Sequence, residues 1–461
     1  MTDAVKEQTA SYELLMSHRF KRRIILQKET KLTKPYRVGE WLPSDQKILD
    51  NWVASLIEEV DAEKKEFLPV IKEFQEFIES DPEFYMLFNQ MFTQVPEKYQ
   101  TDPVGKPQVR SYIHMLELLN AIMQKAPEYN NTGLVGFPIN AILDYAMGTT
   151  SGFAAFLNDK VNRQLKKVLN EWAIFLKSKD SLYVLSRNQE ELEGHKLDID
   201  KNSWFGTDAK AEMPNFSTTF RCDPTKPYYG FTSWDDFFLR KFKEGQRPIA
   251  SPSDDSVVVN ACESAPLSIL ENVKKEDKFW IKGQPYSLRH MLANDSFTDR
   301  FVGGTIYQAF LSALSYHRWH SPVSGTIIKA YVVEGSYYSE ALVAGYDPSA
   351  PNDSQRYLTE VAARALIFIE ADNKDIGLMC FMAVGMAEVS TCEITVYEGQ
   401  HVKKGDELGM FHFGGSTHCL IFNPSVNIDF DLHGQVPSMN STNIPINSKI
   451  AVVTKMPSVT S

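Results

Sequence analysis

The stretch Phe411-His412-Phe413-Gly414-Gly415-Ser416-Thr417 places two glycines and a hydroxyl side chain just after an apolar run. Glycine imposes no side-chain barrier, so a turn is expected here and the backbone can be approached closely. A serine after such a bend can aim its Oγ at the carbonyl of the residue before it. That is the geometry of self-cleavage at Gly415–Ser416. The triplet alone is equally the composition of a plain loop, so the other chemistry-bearing residues decide its meaning.

A second cluster is Tyr316-His317-Arg318-Trp319-His320-Ser321-Pro322. Histidine suits proton transfer at neutral pH. His317 and His320 would share one face of a helix, whereas Ser321-Pro322 points to a helix end or loop. A buried structural histidine and half of a metal site are the competing readings. No third and fourth ligand stands at a zinc-like spacing, so no metal is expected. Glu263, in Ala261-Cys262-Glu263-Ser264, follows a short apolar run and could orient a histidine as a triad carboxylate does; alone it reads as a surface carboxylate. A non-enzymatic alternative comes from Glu398–Gly409 and Ser321–Val333, which look like the hairpins of biotinyl or lipoyl carriers. Lys374 is the one candidate carrier lysine, and its flanks do not match.

The elements that must position these residues fall into regions. The 461 residues suffice for two or three domains with a sizeable core. Residues 1–40 read as a polar arm. Residues 41–185 carry a helical period, as in Ile48, Trp52, Leu56 and Ile57 or Val70, Phe74, Phe77 and Ile78. Breaks are expected at Asp81-Pro82, Val95-Pro96 and Ala126-Pro127, because proline lacks an amide donor and disfavours helix before it. One long helix is expected from near Ser151 to Lys177. Residues 186–225 are polar and irregular, and read as a linker. Residues 226–461 turn β-rich, with strands expected at Val257–Val259, Thr326–Val333, Ala365–Ile369, Leu378–Val384 and Glu393–Val396. The fold class is therefore α+β, a helical accessory domain followed by a β-rich domain.

Composition narrows the function classes. A formal charge of −11 argues against a nucleic-acid partner. Five widely spaced cysteines point to reduced thiols and a cytoplasmic setting. No stretch reaches the roughly 18 apolar residues of a membrane span. The basic segment His18–Leu26 reads either as a solvated arm or as a contact for an anionic membrane.

In order along residues 226–461, Tyr228–Phe238, Arg240, Arg247-Pro248, Lys282-Gly283, Tyr286-Ser287-Leu288, the His317–His320 element, Val384-Gly385 and Gly414-Gly415-Ser416 resemble the pyruvoyl-dependent phosphatidylserine decarboxylase family. Within that family the chain is most similar to the soluble fungal L-tryptophan decarboxylases of the psilocybin-pathway type. That closer likeness spans about residues 38–422 and includes Phe77–Pro82, Phe175–Ser181, Ala261–Ser264, Ser390–Glu393 and Glu398–Ser416. Phospholipid enzymes usually carry Leu-Gly-Ser-Thr where this chain has Gly414-Gly415-Ser416-Thr417, and Asp-Gly where it has Glu263-Ser264.

The resemblance implies a barrel-sandwich catalytic domain and a self-processing zymogen. Ser416 would attack the Gly415 carbonyl, with His320 as base held by Glu263. The products would be a large chain, 1–415, and a small chain, 416–461, whose Ser416 has become a pyruvoyl group. That group would form a Schiff base with a small aromatic amino acid and act as electron sink, without pyridoxal phosphate. His317 or His320 would return the proton. Family members are often homo-oligomers. Phosphatidylserine is the alternative substrate, and a carrier-like or inactive homologue is the non-enzyme alternative.

Overall fold

The computed structural model describes residues 46–95, 108–129, 138–192, 194–277, 286–311, 314–341, 354–389, 392–413 and 415–455. The polar arm, its basic 18–26 segment, Lys282-Gly283 and Gly414 lie outside the described residues.

Among the described residues seven helices come first: α1 (Gln46–Ala62), α2 (Pro69–Ser80), α3 (Pro82–Thr93), α4 (Tyr112–Ile122), α5 (Pro138–Met147), α6 (Thr150–Leu157) and α7 (Asp159–Leu176). The break expected at Asp81-Pro82 is a helix start. The Asp81 side chain accepts the Glu83 N–H at 2.9 Å, and Pro82 occupies the first turn, where no amide donor is needed. The single helix expected over Ser151–Lys177 is two. Asn158 is extended and its side chain accepts from the Lys160 N–H, so it ends α6 and caps α7. The segment 186–225, expected to be a linker, carries short helices at Ile199–Asn202, Thr207–Glu212 and Phe216–Thr219 and buries Trp204, Phe205 and Phe216.

Thirteen strands follow among the described residues: β1 (Val257–Val259), β2 (Ala265–Leu270), β3 (Thr305–Leu311), β4 (Arg318–His320), β5 (Gly325–Val333), β6 (Arg364–Ala371), β7 (Leu378–Met386), β8 (Cys392–Ile394), β9 (His401–Val402), β10 (Glu407–Phe411), β11 (Gly415–Phe422), β12 (Asn427–Phe430) and β13 (Lys449–Thr454). The largest sheet has the antiparallel order β2-β3-β11-β7-β6-β5-β9. Strand β7 is buried along its whole length. It is covered on both faces, which is why Leu378–Val384 reads as an unbroken apolar run. A second sheet, β4-β10-β8, lies over it, with Trp319 meeting Phe381 of β7 at 5.7 Å and Phe411 of β10 at 4.9 Å. This gives the barrel-sandwich character expected of the domain.

Helices and sheets share one continuous core. Trp172 of α7 meets Phe413 edge-on at 5.1 Å. Glu388, just past β7, accepts the Ile139 and Asn140 N–H groups at 2.6 and 2.9 Å, at the start of α5. The Tyr337 N–H donates to the Asn162 side chain at 3.1 Å.

Candidate active site

Ser416 stands at the head of β11, between β3 and β7. It lies across from Leu311 on one side and Gly385 on the other. Its side chain is fully buried, and Oγ has no hydrogen-bond partner among the described residues. Gly415 already belongs to the strand, opposite Met386. The turn expected over Gly414-Gly415-Ser416 is thus absent at its last two residues. Ladder partners on the neighbouring strands outweigh glycine's weak strand preference.

Strand β4 carries the second cluster. Alternation sends Trp319 into the sandwich and Arg318 and His320 to the opposite face. His317, one residue earlier, is fully buried and stacks on Phe238 at 4.0 Å. Phe238 also meets Phe413 at 5.6 Å, and the Phe411 N–H donates to the His317 carbonyl at 2.9 Å. His317 therefore packs against the stretch that leads into Ser416.

His320 is held from both ends of its ring. Nδ1 lies 2.7 Å from the Gly405 carbonyl and Nε2 lies 3.0 Å from the Tyr316 hydroxyl. A carbonyl can only accept, so Nδ1 carries the proton and Nε2 is the basic nitrogen. Burial pushes the imidazole below its usual value, which keeps it neutral near pH 7.

The expected Glu263–His320 pair is not formed. The Glu263 carboxylate is taken by the Arg247 guanidinium at 2.6 Å and by the Ile446 N–H at 2.8 Å. A planar guanidinium matches a carboxylate two bonds at a time, and both ring nitrogens of His320 are held elsewhere, by the Gly405 carbonyl and the Tyr316 hydroxyl. The two residues are nonetheless joined by a ladder. Arg247 lies over Phe242 at 4.3 Å, Phe242 packs on Tyr316 at 4.4 Å, and Tyr316 reaches His320. The backbone adds a link, since the His320 N–H donates to the Ala261 carbonyl at 2.8 Å.

His412 was not singled out by sequence. Its Nδ1 lies 3.0 Å from Asp235 and its Nε2 lies 2.7 Å from Glu393. Burial opposes its charge, but the two carboxylates outweigh burial and raise its pKa. Asp235 is 177 residues away in sequence, so no local pattern could have marked the pair.

The phosphatidylserine decarboxylase family matches residues 68–213 and 234–442. The L-tryptophan decarboxylase of Psilocybe cyanescens is 40% identical over 406 residues, covering 84% of this chain and 88% of that protein. The chain belongs to the phosphatidylserine decarboxylase family. The decarboxylase iboD of Amanita muscaria is 44% identical over 313 residues, 64% of this chain and 86% of its own length. The phosphatidylserine decarboxylase proenzyme 3 of Schizosaccharomyces pombe is 36% identical over 207 residues, 45% of this chain and 20% of its own length. Family membership makes the chain a decarboxylase and hence a carboxy-lyase. Among the described residues no helix is long and apolar enough to cross a membrane.

Proposed function

We propose that this chain is a self-processing, pyruvoyl-dependent decarboxylase converting L-tryptophan, or a related aromatic L-amino acid, to its amine and carbon dioxide. The observation that carries this reading is the setting of Ser416. It is buried, follows the glycine pair directly in sequence, and keeps an Oγ that no other group among the described residues bonds. A prosthetic group made from the serine itself fits such a place, since it needs no separate pocket. When present, a pyruvoyl group supplies a ketone that takes up electrons as carbon dioxide leaves.

The cut uses the chain's own atoms. Ser416 Oγ attacks the Gly415 carbonyl carbon, and the peptide C–N bond gives way to a C–O ester. Loss of the Ser416 Cα proton then breaks the Cβ–O bond and releases the Gly415 carboxylate. Hydrolysis expels the nitrogen as ammonia. We carry over from the family resemblance His320 as the base for the first step and His317 as the group that handles the substrate's proton; in the structure His320 Nε2 is held by the Tyr316 hydroxyl and does not yet reach Ser416 Oγ. Glu263 is a positioning residue, acting through Arg247, Phe242 and Tyr316. The small chain begins with β11, which is paired on both sides by strands of the large chain. The two chains therefore stay together after the cut.

The preference for an aromatic amino acid rests on the likeness to L-tryptophan decarboxylase across most of both chains. The test is carbon dioxide release by purified protein from L-tryptophan, L-phenylalanine, L-tyrosine and phosphatidylserine vesicles. Turnover of tryptophan without turnover on vesicles is expected; the reverse would replace this reading with a phospholipid one.

A further inference from the structure

Side chains two apart on a strand point the same way, so Ser416, His418 and Leu420 share one face of β11. The registers extend that face sideways. Ser416 lies across from Leu311 and Gly385, His418 from Ala309 and Ala383, and Leu420 from Tyr307 and Phe381. One strand further, Ala383 lies across from Ala365. His418 is thus flanked in the sheet by alanines, the smallest side chains after glycine. Aromatic rings close the far end. The His418 ring lies 6.0 Å from Phe381, stacked, and 6.0 Å from Tyr307, edge-on.

Among the described residues, polar groups on this face stand buried with no hydrogen-bond partner. They are Ser416 Oγ, both ring nitrogens of His418 and the Tyr307 hydroxyl. Each of these residues is completely buried. Buried polar groups nearly always find a partner, so unpaired ones call for an explanation. The cut at Gly415 uses Ser416. It uses neither His418 nor Tyr307.

We propose that His418, seconded by Tyr307, is a specificity-determining residue that accepts the ring N–H of an aromatic amino acid bound at Ser416. This deepens the reading above and rests on it. Two residues of strand span about 7 Å, a distance comparable to the reach of an indolylmethyl side chain from its α-carbon. Burial pushes the His418 imidazole down to about 3, so it is neutral at working pH. A neutral imidazole offers one accepting nitrogen and one donating one. It can therefore take an indole N–H without burying a charge. A phenyl ring would leave these groups unpaired, and a site built to hydrogen-bond rejects the analogue that cannot.

The test compares kcat/KM for L-tryptophan with that for its benzothiophene isostere, in which sulfur replaces the ring N–H. The unmodified enzyme should favour tryptophan by about 10- to 100-fold. His418→Leu should shrink that preference to less than about threefold while still cutting itself into two chains, which reports folding. His418→Gln, which keeps a polar tip, should restore part of it. If the leucine variant does not fold, Tyr307→Phe removes one hydroxyl only and should lower the same ratio. Equal turnover of the two isosteres by the unmodified enzyme, or a ratio that no variant changes, would overturn the assignment. An unmodified enzyme inactive on both would overturn the functional reading, and this assignment with it.

Discussion

The Tyr316 hydroxyl lies 3.0 Å from Nε2 of His320, on the side of the ring opposite the Gly405 carbonyl. With Nδ1–H held by the carbonyl, the phenol caps the one nitrogen that can take a proton. Burial lowers the His320 pKa from its usual 6.5. Self-cleavage that depends on neutral His320 should therefore persist below pH 6.5 and fail only in more acidic buffer. Tyr316→Phe removes the cap and should change the cutting rate by about 3- to 30-fold, the scale of one neutral hydrogen bond. Timed denaturing gels across pH would measure both effects. A profile that breaks at or above the free imidazole value would contradict the role given to His320.

His412 and Asp235 hold the segment that leads into Gly415–Ser416. Their side chains are only 12% and 13% exposed, so the pair is little screened by solvent. The His412 pKa is raised on folding, so the bond contributes fully below the ordinary 6.5 and fades as pH rises through the raised value. Asp235→Asn should cost about 1–3 kcal/mol at mildly acidic pH and less in alkaline buffer. It should also slow the cut, since Phe413 follows directly. Thermal melts at two pH values, with gels alongside, would check this; a deficit that grows with pH would count against it.

Much of the fold can be read from the chain, and the unread parts have identifiable causes. Strands β5, β6 and β7 are apolar because the sandwich covers them. The first half of β11 was not foreseen, because Gly415-Ser416-Thr417-His418 carries no apolar run and is held as strand by neighbours on both sides, although Cys419–Phe422 beyond it is apolar. Asn158 hides a helix boundary inside a continuous helical period. The residues 186–225 are polar in most positions, and a few buried aromatics such as Trp204 and Phe205 fold them. Ser416 and the two histidines were visible as residue types. The partner of Glu263 was not, since Arg247 and His320 were both plausible by charge and only the packing of Phe242 on Tyr316 separates them. His418 could have been found, because it lies two residues after Ser416 and period two puts it on the same face.

Glu388 ties α5 to the end of β7. Burial pushes its carboxyl from the ordinary 4.5 up to about 8, against the pull of the Asn140 and Ile139 N–H groups. The folded protein therefore holds a proton that the unfolded chain has already released. The contribution of Glu388 to stability falls as pH rises from about 4.5 to about 8, on the scale of about 1.4 kcal/mol for each unit separating the two values. Glu360 is shifted in the same direction, to about 8. Glu388→Gln keeps an accepting oxygen and removes one of the two titrations. Its melting temperature should decline less steeply over that range than the parent's. Parallel curves would show that Glu388 ionises normally in the folded protein.

The central claim is that the chain cuts itself at Gly415–Ser416 and that the cut creates the active enzyme. Intact mass spectrometry of the purified protein and of Ser416→Ala, paired with carbon dioxide release from L-tryptophan, tests it most directly. Two chains are expected for the parent, 1–415 and a 46-residue 416–461 with a blocked N-terminus (461 − 415 = 46). The variant should remain one uncut, inactive chain. An uncut parent that decarboxylates tryptophan, or an alanine variant that keeps its activity, would contradict it.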